Sequence, residues 1–84
     1  MNEHSIREIA RVAYEAHNEY AVTALGHDRI EWDEMHAEDM DEKIELTREL
    51  IDKLAQGHVI NTSDPTRKVF VRVVKALANS ERLL

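Results

Sequence analysis

Five histidines in 84 residues, His4, His17, His27, His36 and His58, are the first groups to test for chemistry. None of them makes the paired helical spacing or has the acidic partner of a recognised zinc site. Asp33, His36 and Asp39 could gather around a divalent ion, but a solvated acidic turn uses the same residues. Cysteine is absent, which removes disulfides, thiolate metal sites and cysteine nucleophiles together. The carboxylates cluster on one segment and its approach, the pattern of a solvated face rather than of an acid and a base held apart in a cleft. No nucleophile elbow and no phosphate-cradling glycine loop is present. These residues argue for a non-enzymatic chain without a metal or a cofactor.

Binding chemistry is better represented. Tyr14 and Trp32 are rings on which a base could stack, and His17 and Asn18 are hydrogen-bonding groups for a sugar. Lys68, Arg72 and Lys75 set one cation per helical turn and could neutralise phosphates. Each has a plainer reading. His17 sits mid-arc on an apolar face and could be a core histidine; Trp32 could be a core plug; the cationic stripe could be solvated.

Charge constrains the partners. Lys and Arg number 11 against 17 Asp and Glu, a formal −6 with an isoelectric point near 5.3, which argues against direct nucleic-acid binding. Residues 1–27 carry −2, residues 28–52 carry −8 and residues 53–84 carry +4. No apolar run approaches a membrane span and no signal-peptide pattern opens the chain, so the expected setting is cytoplasmic, with no membrane partner.

Glycines, one proline and capping residues place these groups on three helices in a single all-α domain over 1–84. Ser5-Ile6-Arg7-Glu8 reads as a capping box opening a helix over about 5–25, with Gly26 as its left-handed stop. Ile6, Ile9, Ala10, Ala13, Ala16, His17, Tyr20, Ala21 and Ala24 share one arc of it, and its alanines permit close approach by a neighbour. Residues 26–36 read as an ordered connection anchored by Trp32. Met40, Ile44, Thr47, Ile51 and Leu54 step by four and three along a second helix over about 37–56, with Leu46 and Leu50 widening the stripe. Asp39 with Lys43 and Glu49 with Lys53 are spaced as i,i+4 ion pairs. Asp64 as N-cap and Pro65 at the first helical position predict a third helix over about 65–79, buried through Phe70, Val73, Val74 and Leu77. The β-branched run Val69–Val74 leaves open a strand paired with Val59-Ile60. Val12, Val22 and Leu46 fall off the main stripes, so self-association is expected to cover them.

Ile9-Ala10-Arg11-Val12-Ala13-Tyr14-Glu15-Ala16-His17-Asn18-Glu19-Tyr20 resembles the opening helix of the small ryanodine-receptor-type (RyR) domains of bacteria and phages. Trp32-Asp33-Glu34-Met35 is similar to their following turn, and Arg67–Leu77 to their closing F-x-x-V-V-x-A-L helix. The resemblance spans about residues 6–78. It departs where the family tends to have His-Glu-Ala-Asn-Arg and this chain has Tyr14-Glu15-Ala16-His17-Asn18. The polar insert before the last helix is reduced here to Asn61–Arg67. The resemblance implies a helical module that binds a nucleotide-derived signal, as a bacterial sensor or a phage-encoded sponge for a defence second messenger would in the host cytoplasm. A different reading takes Asp39, Glu42, Glu45, Glu49 and Asp52 as an acidic surface that occupies a basic partner or mimics nucleic acid.

Overall fold

Each helix begins and ends where a specific backbone need is met. The computed structural model describes residues 2–80 and contains α1 (Glu3–Leu25), a 3-10 turn (Trp32–Glu34), α2 (Ala37–Ala55) and α3 (Pro65–Ser80), with no strand among the described residues. The hairpin alternative for Val59-Ile60 and Val69–Val74 is therefore excluded. Pro65 fits the first position of α3 because its missing N–H would have no intrahelical partner. Asp64 caps it through Oδ1, which accepts the amides of Thr66 at 2.9 Å and Arg67 at 3.4 Å.

The Ser5 capping box does not form. Helix α1 starts three residues earlier, where Asn2 Oδ1 accepts the Ser5 amide at 2.8 Å and Asn2 O accepts the Ile6 amide at 3.2 Å. Ser5 is thereby the third helical residue, and Glu8 binds Arg11 instead. Gly26 and Gly57 follow α1 and α2 with φ of 70° and 79°, a region in which a side chain would be strained.

The three helices and the turn close around Ile6, Ile9, Ala10, Ala13 and Tyr14 of α1, Trp32 of the turn, Ile44, Leu50 and Ile51 of α2, and Phe70, Val74 and Ala78 of α3. Helix α1 packs chiefly on α3, and the fully covered Ala10, Ala13 and Ala78 keep bulk out of the core they share. The buried face of α1 is turned by roughly 40° from the apolar arc of the sequence, at 100° per residue. Tyr14 and Asn18 are inside, whereas Ala16, His17 and Tyr20 are half-buried and Ala24 is exposed. The turn carrying Trp32 packs on the Tyr14 side, and Thr23, Ala24 and Leu25 at the end of α1 are exposed. On α3, Ala78 joins the predicted face, Phe70 and Val74 are buried, and Val73 and Leu77 are half-buried.

The expected Asp39–Lys43 and Glu49–Lys53 pairs are not made. Ion pairs run instead from Arg11 to Glu8 and Glu15, from Arg29 to Glu19, and from Arg48 to Glu3 and Glu45. An exposed lysine gains too little from such a pair to fix its chain. Lys43 instead lines a cleft beside His17.

Candidate functional site

One turn of α1 separates Tyr14 from His17, so both side chains leave the helix on the same side. Phe70 of α3 and Trp32 of the connection extend them into a row of rings. Trp32 lies 5.7 Å from Tyr14, Tyr14 lies 5.7 Å from His17, and His17 meets Phe70 edge-on at 6.4 Å between ring centroids. The row is anchored at Tyr14, whose hydroxyl donates to the Ile30 carbonyl at 2.6 Å. That bond ties the connection to α1 halfway along the helix. Burial, reinforced by Glu31, Glu34 and Asp39, raises the Tyr14 phenol above its ordinary value.

Two concavities flank His17 and Lys43, each of which lines both. The larger, about 350 Å3, lies between α1, the connection and the start of α2, and is walled by Tyr14, Ile30, Glu34, Met35, His36 and Asp39. The smaller, about 140 Å3, lies between α1, α2 and the N-terminal turn of α3, and is walled by Glu42, Leu46, Asp64, Thr66, Arg67 and Phe70. Aromatic and aliphatic surface with a few converging polar groups is the usual make-up of a small-molecule site.

The imidazole of His17 is the unusual group in this cleft. Its Nδ1 is buried and makes no hydrogen bond, although buried polar atoms are nearly always paired. Burial, and then the Lys43 charge, push its pKa below the ordinary histidine value, so the ring is neutral at pH 7. The Thr66 hydroxyl, followed by the amides of Arg67 and Thr66, holds the Asp64 carboxyl below the usual carboxylate range. Lys43 and Arg67 have no ion pair among the described residues.

The residues singled out in the sequence divide. Tyr14 and His17 are in the cleft. Trp32 is only 6% exposed and plugs the core, so its face is closed to a stacking base. Asn18 is 7% exposed and borders neither concavity. Lys68, Arg72 and Lys75 are exposed on the face of α3 turned away from Phe70, and Lys75 borders a separate groove beside Val59 and Ile60. The cations that do reach the rings are Lys43 and Arg67, which sequence reasoning passed over. Arg67 stands one turn before Phe70, and Lys43 one turn before Thr47; those spacings were the available signal. Asp33, His36 and Asp39 do not converge on a metal position, and among the described residues no three His, Asp or Glu side chains do. Nor is any described helix long and apolar enough to cross a membrane.

No protein-family model matches the chain, and neither a curated protein nor a solved structure matches it. The likeness to RyR-type domains therefore stands on the quoted residues alone.

Proposed function

We propose that this chain is a non-enzymatic binding module for a small nucleotide-derived molecule, acting as a sensor or a sponge, with the cleft at His17 as its site. The single observation that carries the reading is the buried, unpartnered His17 Nδ1 where two concavities adjoin. Tyr14 and Phe70 offer aromatic surface there, and Lys43 and Arg67 offer cationic groups that form no ion pair among the described residues. The likeness to RyR-type domains supports the same class of ligand, by analogy only. Because the larger concavity is open, a second copy of the chain completing the site belongs to this reading. The test is titration with cyclic dinucleotides and ADP-ribose derivatives, followed by calorimetry and by Trp32 fluorescence, which the Tyr14 contact couples to the cleft. Saturable heat that disappears in Arg67→Ala supports the site; absence of heat with every probe refutes it.

A second reading rests on a different observation. Glu38, Asp41, Glu42, Glu45 and Glu49 line one groove along α2 together with Leu46 and the single cation Arg67, and among the five acids only Glu45 is ion-paired, to Arg48. Such a strip would suit a basic protein surface, acting as an inhibitor or nucleic-acid mimic. Salt-sensitive binding of an arginine-rich peptide, lost when Glu42, Glu45 and Glu49 become glutamines, would favour it.

A further inference from the structure

A concavity of about 140 Å3 is too small for a nucleoside. It is comparable to the roughly 150 Å3 cavity that accepts a single benzene ring, and a phosphate, sulfate or carboxylate group fits within that size. We infer that the smaller concavity is an oxyanion subsite in which Lys43, Arg67 and His17 hold a phosphate or carboxylate group, and that His17 takes up a proton from solvent as the anion enters. The inference rests on reading the cleft as a binding site and names the part of the ligand that this end accepts.

The charge inventory makes the proton necessary. Lys43 and Arg67 are balanced in this concavity by Glu42 and Asp64, so with a neutral imidazole the lining has no net charge. Asp64 already receives the Thr66 hydroxyl at 2.7 Å besides the two amides, and the first amides of α3 are spent on it rather than offered to a ligand. An arriving anion therefore meets two cations whose charge is offset, and protonating His17 tips the lining to positive. On its other side the imidazole faces Glu34, His36 and Asp39 across the larger concavity, with Tyr14 one turn away on its own helix. In the empty cleft Asp64 favours the imidazolium, whereas burial and Lys43, and then His27 and Arg67, oppose it. Protonated His17 carries N–H on both nitrogens, so the ring lining this concavity becomes a charge-assisted donor with an oxyanion to receive it.

The test follows the His17 imidazole by NMR over pH 5–8 with sulfate, which does not titrate there, against chloride at equal ionic strength, and in parallel with adenosine monophosphate. Sulfate should move the His17 midpoint upward, and above that midpoint its affinity should fall about tenfold per pH unit. Arg67→Ala and Lys43→Ala should each weaken it roughly tenfold or more, while Lys68→Ala should not. His17→Asn should abolish the pH slope. Dispersed amide spectra of the variants separate these effects from unfolding. A His17 midpoint identical in sulfate and chloride, or a pH slope that survives in His17→Asn, overturns the inference. Nucleotide binding that leaves His17 unmoved also overturns it and spares the broader reading. Sulfate binding at His17 with no nucleotide able to compete upholds the subsite and removes the nucleotide reading.

Discussion

Tyr14→Phe isolates the bond that secures the cleft. The side chain is 5% exposed and its hydroxyl donates to the Ile30 carbonyl at 2.6 Å, while its ring packs on Trp32 and His17. Phenylalanine keeps the ring contacts and deletes only the donor. A neutral hydrogen bond contributes a net 0.5–1.5 kcal/mol or so. Ile30 is exposed, so its released carbonyl can turn to water and no buried acceptor is stranded. The expected loss is therefore about 1 kcal/mol, which for a domain of this size lowers Tm by about 4–8 °C. Tyr14→Ala deletes the ring as well and should cost about 3–5 kcal/mol, out of a total of about 4–13 kcal/mol for 84 residues. Urea titrations followed by far-ultraviolet circular dichroism give the two differences, and hydrogen exchange at residues 27–31 shows whether the connection has come loose. A Tyr14→Phe protein as stable as the parent would refute the anchoring role. So would a Tyr14→Phe loss equal to that of Tyr14→Ala.

Four further expectations follow from the same geometry. His17 is held neutral, so its contribution to stability is complete above its ordinary value of 6.5 and declines as pH falls below it, because the unfolded chain then binds the extra proton; His17→Asn should flatten the stability profile just below pH 6.5 in urea melts. Asp64→Ala should lower Tm and the helical signal of α3 whereas Asp64→Asn keeps most of both, since the amide oxygen can still cap. Gly57→Ala should destabilise by about 1–2 kcal/mol despite open space around its Cα, because φ is 79°, and Gly57→Asn should lose less. Sedimentation at micromolar concentration should find self-association that Arg72→Glu weakens, if the exposed cations of α3 meet the acidic strip of α2 in a second copy.

The helix boundaries were legible because they depend on local backbone needs. Asp64-Pro65 and the two glycines act within a few residues, and they lie where the structure uses them. The start of α1 was not legible, since Asn2 with Ser5 offers the same three-residue spacing as Ser5 with Glu8. Both ends satisfy a capping rule, and the earlier one adds a turn. The cleft was half legible. Tyr14 and His17 announce themselves by spacing on one helix. Lys43 and Arg67 do not, because whether a cation meets a ring on another helix depends on how the helices cross. The exposed stripe of Lys68, Arg72 and Lys75 has the stronger pattern in the sequence and lies on the wrong side. Trp32 followed the usual tendency of large rings to be used as core, with the Tyr14 contact accounting for its orientation.

That α1 packs chiefly on α3 also has a consequence for biosynthesis. Roughly forty residues separate the two helices, so the main contact of the first is made with a segment translated well after it. Until α3 leaves the ribosome, α1 has only the smaller surface that α2 and the connection offer. The decisive step in folding this domain is therefore expected to wait until α3 has emerged, however early α1 coils. A nascent chain arrested before Phe70 should be cut freely by protease within α1, and one arrested after Ser80 with its full length outside the exit tunnel should resist.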